Sequence, residues 1–326
     1  MMSSITRFNE SLVSHQTFVL IGIPGMQEKN SWVAFPLFVL YTLTLLGNFM
    51  ILYVIKIDPS LHEPMYFFLS MLACSDLGLC MSTMPTMLSV YWFDFREIPF
   101  NACISQMFFI HTFQWIESGI LVAMAFDRLI AIRHPLRYRS LLPNSVIVKI
   151  GIVVLSRGLC VIFPIPFLIK RLPFCRSNVL SHSYCLHQDA MKLACADTRV
   201  NLLYGLTVVI SSLGLDVVSI LVSYALILMT VLSIASHQEC LKALNTCVAH
   251  ISAILIFYVP MIGTSMAHRF GRHLSPIVHM LMANIFVAVP PLLNPVVYSV
   301  KTQQIRERIC SVLQLKKRCF FQRRIL

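Results

Sequence analysis

Charge is what this sequence has least of. Of its 326 residues only 14 are Asp or Glu, and charged residues of both signs make up 12%. A typical soluble domain carries about 25%. With hydrophobic residues at 57% and a mean hydropathy of +0.75, the chain holds more apolar surface than a water-soluble fold of this length buries. Catalytic signatures are missing too. There is no glycine-rich phosphate loop, no HExxH and no serine or cysteine nucleophile beside a base, so an enzyme is not expected. The 11 cysteines never fall at CxxC spacing, which argues against a zinc site. An ion-coupled transporter, with Asp76, Glu117 and Asp216 as its path, is the rival reading. The two halves lack the inverted repeat and paired broken segments that such a fold calls for.

What the chain does have is long apolar runs. Seven of them lie approximately over Trp32–Ile55, Pro64–Leu88, Ala102–Ile132, Val146–Ile169, Leu202–Ile234, Ala243–Ala267 and Pro276–Val300. A helix rising about 1.5 Å per residue crosses about 30 Å of hydrocarbon in runs of this length. The expected fold class is an all-α membrane protein: a seven-transmembrane helix bundle over 32–300, an outer segment over 1–31, and a basic tail over 301–326 with a short amphipathic helix. Arg133, Arg137, Arg139 and Lys149 flank the connection after span three, and Lys301, Arg306, Arg308, Lys316, Lys317, Arg318, Arg323 and Arg324 crowd the tail. Both regions are therefore expected in the cytoplasm. The N-terminus then lies outside, where Asn9-Glu10-Ser11 fits the acceptor pattern for N-glycosylation at Asn9. No cleavable leader is expected, and span one serves as the targeting signal. The formal net charge of +12 is largely this inner face, suited to anionic lipid and an acidic partner; nucleic acid is not needed to explain it.

Polar residues inside the spans are expensive and so mark function. Asn48, Asp76, Glu117, Asp216 and Asn294 fall in spans one, two, three, five and seven. Asp76 and Glu117 at similar depth call for a shared proton, a sodium-like ion, or an interhelical hydrogen-bond clamp with one acid neutral. Asp216 has no evident partner in the sequence and reads as protonated. At the inner end of span three, Asp127-Arg128 forms a local ion pair that competes with other helices or an inserted partner. In span seven, Asn294-Pro295-Val296-Val297-Tyr298 places a proline between two polar side chains, a deformable point. Tyr224 in span five and Tyr258-Val259-Pro260 in span six add further polar or kinked points.

Taken in order, these stretches resemble one family. Gly47-Asn48, "LHEPMYFFLSMLACSD" at 61–76, "MAFDRLIAIRHPLRY" at 124–138, "SY" at 223–224, "KALNTCVAHI" at 242–251 and "PPLLNPVVYS" at 290–299 look like a rhodopsin-like G-protein-coupled receptor of the odorant receptor family. "IGIPGM" at 21–26, Asp216 and "HRFG" after span six resemble its class I, or fish-like, branch. The family usually reads MAYDRYVAIC; here Phe126 and Leu129 replace the tyrosines and Arg133 the cysteine, which bears on coupling through the lost hydroxyl after Arg128.

The resemblance implies a Cys103–Cys185 disulfide from span three to the second outer loop, and Cys175–Cys195 within that loop. It implies a multi-pass plasma-membrane receptor with an extracellular N-terminus and a cytoplasmic C-terminus. Its partners are a small odorant, a stimulatory olfactory-type heterotrimeric G protein that raises cyclic AMP, and an accessory protein for surface trafficking. Asp127, Arg128, Tyr224, Asn294, Pro295 and Tyr298 form the coupling switch, and Asp76, Glu117 and Asn48 the internal cation or proton site. The pocket lies between spans three, five and six, and class I receptors favour short carboxylic acids. Ser265 and Arg269, four apart, share a helix face, with Tyr258 two turns below. A guanidinium pairs bidentately with carboxylate. Arg269 is thus expected to hold an acid head group, with Ser265, His187 and Gln188 in support, His111 at pocket depth, and Met107, Phe108, Ile110, Thr207 and Ile262 around an apolar tail. Alternatively Arg269 snorkels to the outer interface or pairs with Asp189 or Asp197. Arg272 and His273 face water or headgroups. A chemosensor for metabolic acids outside the nose has the same sequence signature.

Overall fold

The computed structural model describes residues 17–22, 30–175, 177–233, 237–270 and 273–313. Helices form where the apolar runs lie. They are α1 (Asn30–Ile57), α2 (Pro64–Trp92), α3 (Phe100–Arg133) and α4 (Asn144–Ile162, carried past Phe163 by Pro164–Lys170). After the second outer loop come α5 (Arg199–Leu232), α6 (His237–Phe270) and α7 (Pro276–Lys301). Helix α6 begins six residues before the expected Ala243, because it continues inward beyond the hydrocarbon. Six of the seven are long and apolar enough to cross a membrane. The remaining one, α3, has 34 residues and carries more polar side chains because it is the central helix, packed against α2, α4, α5 and α6.

The helix ends follow local chemistry. Pro64 opens α2 after an extended Glu63, where its missing N–H costs nothing. Ser275 caps α7 by accepting from the Val278 N–H, again with a proline at the first helical position. Large apolar side chains such as Trp32, Phe35 and Leu46 on α1, Ile152 and Val153 on α4 and Leu215 and Leu221 on α5 stand exposed on the outside of the bundle, where lipid covers them. Two glycines permit close approach of helices. A Cβ on Gly78 would sit 2.3 Å from the Phe113 ring, and one on Gly47 3.0 Å from the Pro295 ring.

Beyond Thr302 the chain turns into α8 (Gln303–Val312), the expected amphipathic helix. Its Ile305 is fully buried, and Ile309 and Val312 pack on the inner core around Met65, Leu69, Leu121 and Tyr298. Arg308 pairs with Asp58, and the Tyr66 hydroxyl donates to Gln304, so the first inner loop and α2 hold the helix in place.

At the outer end the chain departs from an all-helical picture. Strand β1 (Thr17–Leu20) lies between β2 (Glu97–Pro99), antiparallel with Thr17 opposite Pro99, and β3 (Val179–Leu180), parallel with Val19 opposite Val179. Phe18 and Leu20, two apart and so on one face, bury against Ile98, Cys103 and Leu180. The end of the outer segment is thus stitched into two loops rather than left loose.

Candidate functional site

The second outer loop is fixed over the bundle by several ties. Cys103–Cys185 joins it to α3 with Cα atoms 5.5 Å apart, and Cys175–Cys195 closes it on itself at 5.9 Å. Gln106, one turn inward from Cys103, accepts from the Cys185 N–H at 2.9 Å and donates to the Ser82 carbonyl and Thr86 Oγ1 at 2.8 Å each. The Tyr184 hydroxyl donates to the Ala283 carbonyl on α7 at 2.8 Å. Asp189 accepts from the Ser181 N–H at 2.5 Å and contacts His182 Nδ1 at 3.1 Å. Burial works against this carboxylate, but His182, Lys192 and the Ser181 N–H together hold it below the usual range.

Under the loop lies a cavity of about 120 Å³. His111, Gln114, Trp115 and Ser118 of α3 form one side, with Met261, Thr264 and Ser265 of α6 opposite and His187 and Gln188 from the loop above. Helix α5 widens into a π turn over Val209–Leu213, and Val208, Val209 and Leu213 wall this side. A vestibule of about 260 Å³ shares His187, Gln188 and Ser265 and reaches the exposed Lys192. The polar atoms inside are under-used. His111 Nδ1 meets Gln114 Oε1 at 3.2 Å, while Gln114 Nε2 and His187 Nε2 are buried without a hydrogen-bond partner. Burial, with the nearby His111 imidazole, pushes His187 down to about 3, so that it is neutral at ordinary pH. A larger cavity of about 680 Å³ lies between α2, α3 and α4, lined by Met71, Val148, Ile152 and Leu155. It opens on the lipid side and lacks converging polar groups.

Several expected lining residues sit elsewhere. Met107 and Ile110 are fully buried on the other faces of α3, packing respectively with Ile104 and Ile162 and with Met84 and Tyr184. Phe108 meets the Phe109 ring edge-on at the border of the first of these clusters. Thr207 and Ile262 face outward. Helical phase explains the shifts: the wall is made by Gln114 and Trp115 one turn below His111, and by Met261 rather than Ile262. Tyr258 is buried beneath the cavity and does not line it. Arg269 lies in the last turn of α6; its side chain lies outside the described residues, as do Arg272 and Asn9. The carboxylates that competed for it are engaged, Asp189 as above and Asp197 with the Arg199 backbone N–H at 2.8 Å.

Behind Ser118 and Trp115 of the cavity wall lies an ion pair the sequence did not suggest. Arg157 of α4 donates to both Asp216 oxygens, at 2.8 and 2.5 Å, and lies 5.6 Å from the Trp115 ring centroid. Ser118 Oγ donates to Asp216 at 2.6 Å and meets the Tyr258 hydroxyl at 2.9 Å. Asp216 therefore has a partner that the sequence did not show. A lone arginine in an apolar span was the available signal.

Deeper, Asn294 Nδ2 reaches Asp76 at 3.1 and 3.2 Å and Glu117 Oε1 at 3.1 Å, so a residue assigned to the hinge stands between the two acids. Asn48 is not part of this cluster. Its amide donates to the Thr44 carbonyl at 3.0 Å and the Pro291 carbonyl at 2.9 Å. The latter is the acceptor that Pro295, lacking an N–H, leaves open four residues on. Pro295 thus lies within a continuous α7.

At the inner end, Arg128 donates to Asp127 through Nε at 3.0 Å and Nη2 at 2.5 Å, and the Tyr138 hydroxyl donates to the other Asp127 oxygen at 2.6 Å. Burial and the Asp127 charge raise the Tyr138 phenol, keeping it a donor. Tyr224 meets His250 Nδ1 at 2.8 Å, Tyr298 lies 3.9 Å from the Met124 sulfur, and Leu129 is buried against Ile227 and Val231 while Phe126 faces lipid.

Seven helices around a polar axis, a loop tied by disulfide to α3 over a closed cavity, and an Asp-Arg pair at the inner end define a rhodopsin-like G-protein-coupled receptor. A family model described as Olfactory receptor matches residues 37–316, and the chain belongs to that family, whose members are receptors and not enzymes. It is 63% identical to human Olfactory receptor 51H1 over 92% of this chain and all of that one. It is 54% identical to mouse Olfactory receptor 51E2 over 93% of this chain and 94% of that one, and 54% identical to human Olfactory receptor 51G2 over 92% and 96%. An odorant receptor of the plasma membrane, crossing it several times, is the function and place this establishes.

Proposed function

We propose that this receptor takes a short carboxylic acid in the cavity between α3, α5, α6 and the outer loop. The observation that carries the reading is the set of polar atoms in that cavity. Two imidazoles, two amides, Ser118, Thr264 and Ser265 stand among apolar side chains, and Gln114 Nε2 and His187 Nε2 are buried without hydrogen-bond partners. Arg269, one turn above Ser265, supplies the fixed cation for the acid, and Lys192 draws anions into the vestibule. The cavity volume suits a ligand of few heavy atoms. Contraction of the outer halves pulls α5 and α6 through the Ser118–Asp216–Tyr258 contacts and opens the inner end. A stimulatory G protein then docks on the basic cytoplasmic face, with the N-terminus outside, and an accessory protein assists surface delivery.

The acid pair fits a bound sodium-like cation. Glu117 Oε2 and Asn294 Oδ1 are buried acceptors without hydrogen-bond partners, and Asp76 lies within reach of the same amide. A cation there would offset the repulsion between the two carboxylates. The test of the head-group assignment is a cyclic-AMP response to a panel of short acids in cells matched for surface receptor. Arg269→Ala is expected to lose the response about a hundredfold, the order of a charged hydrogen-bonded pair at about 1.5–3 kcal/mol. A response equal to wild type would remove Arg269 from the site.

A further inference from the structure

Strand β1 touches neither the outer cavity nor the switch, yet it ties together the parts that surround the cavity. Its Leu20 N–H donates to the Arg96 carbonyl of the first outer loop at 2.8 Å, and its Val19 N–H to the Asn178 carbonyl of the second at 2.9 Å. So short a strand is held mainly by what it buries. Phe18 and Leu20 are fully buried, and the Phe18 ring meets Phe174 of the second loop edge-on at 5.5 Å and Phe100, the first residue of α3, at 5.6 Å between centroids. Both side chains belong to one buried cluster with Ile162, Ile165, Cys185 and Ala190. Ile162 and Ile165 line the cavity. Ala190 lies in the short loop helix His187–Lys192, whose first two residues are the cavity's His187 and Gln188, and its N–H donates to the Leu186 carbonyl at 3.0 Å. The apolar packing therefore runs from β1 both to the cavity wall and to the helix that carries its polar cover.

We propose that β1 is a positioning strand for ligand recognition: anchored by Phe18, it holds the His187–Lys192 helix down on the cavity and so fixes His187 and Gln188 and the length of tail that fits beneath them. Its effect on tail length rests on the acid reading given above, whereas the placement of the helix rests on the packing. A phenylalanine cut to alanine in a filled core leaves a hole into which the neighbours relax only in part. Here the neighbours belong to the second outer loop, so the loop helix gains room to move and the cavity beneath it lengthens. A cover no longer preorganised must be ordered by the ligand itself. Two side chains left in that condition lower potency about tenfold.

Full-length wild type, Phe18→Ala, Phe18→Leu and Val19→Pro are compared in cells matched for surface receptor, by cyclic-AMP response to straight-chain carboxylic acids of increasing length. Val19→Pro removes the N–H that bonds Asn178 and leaves Phe18 and Leu20 in the chain. Phe18→Ala and Val19→Pro are expected to lose about tenfold in potency for the shortest acids and to shift the optimum to longer ones, while Phe18→Leu, still large and apolar, keeps the wild-type order. A strand that served folding alone would lower surface receptor and leave the chain-length order intact, so an unchanged order in both variants overturns the proposal. The same proteins, purified in detergent micelles, are followed by hydrogen exchange at the Ala190 amide, which is expected to exchange about tenfold faster in Phe18→Ala and Val19→Pro. Equal exchange rates overturn the positioning role whatever the ligand. Wild type silent to every acid, with the faster exchange still seen in the variants, removes the acid reading and upholds the positioning role.

Discussion

Arg157 and Asp216 face each other across α4 and α5 through two parallel hydrogen bonds, at 2.8 and 2.5 Å, behind the Ser118 and Trp115 wall of the outer cavity. The pair is fork-to-fork, with Ser118 adding a third donor to the carboxylate and the Trp115 ring beside the guanidinium. Removing one partner leaves the other charge uncompensated in the bundle. Arg157→Ala or Asp216→Ala is expected to destabilise the purified receptor by about 3 kcal/mol, while the double change to Met and Leu recovers most of that loss. Thermal melting of the three variants checks this; equal losses in single and double variants would sink the pairing.

The Asn48–Pro291 bond makes a similar claim about α1 and α7. Asn48 supplies the donor that Pro295 lacks, so Asn48→Ala should cost about 1–2 kcal/mol. Restoring the N–H with Pro295→Ala should reduce the cost of the Asn48 change, a coupling that a double-mutant cycle measures. Strict additivity would mean that the two do not share the carbonyl.

Tyr138→Phe removes the hydroxyl that holds the second Asp127 oxygen. A loss of about 1 kcal/mol in the closed arrangement raises the open population about fivefold. The readout is ligand-independent nucleotide exchange on a stimulatory G protein, expected to rise in the variant; unchanged or lower exchange contradicts the closing role.

His187 predicts an acid-sensitive outer loop. Its folded value of about 3 lies below the 6.5 of a free imidazole, so the unfolded state takes up the proton first as pH falls. The stability that neutral His187 provides is full above about pH 6.5 and declines from there toward about pH 3. Wild type should lose about 2 kcal/mol between pH 7 and pH 5 relative to His187→Gln. Parallel melting curves for the two proteins would show that the imidazole is not held neutral.

The helices were legible in the sequence because apolar length is a one-dimensional property, and so were the disulfides and the Asp127-Arg128 pair, which are short motifs or follow from resemblance. What was not legible depends on helical phase and on meetings between distant segments. Met107, Ile110 and Ile262 are apolar and at the right depth, yet a rotation of about 100° per residue turns them off the cavity and brings Gln114, Trp115 and Met261 to it. Arg157 and Asp216 lie 59 residues apart, and no local pattern joins them. Strand β1 escaped notice because four residues pairing with two remote loops leave hardly any periodic signal.

On the proposed function, the outer cavity binds a short acid by its head group and admits a limited tail. The direct measurement is a cyclic-AMP dose response to straight-chain carboxylic acids of increasing length, each beside its methyl ester and its alcohol. Responses are expected to acids alone, with potency peaking at a short chain and falling beyond what the cavity of about 120 Å³ and its vestibule hold. Esters or alcohols as potent as the acids, or potency that climbs without limit with chain length, would contradict it.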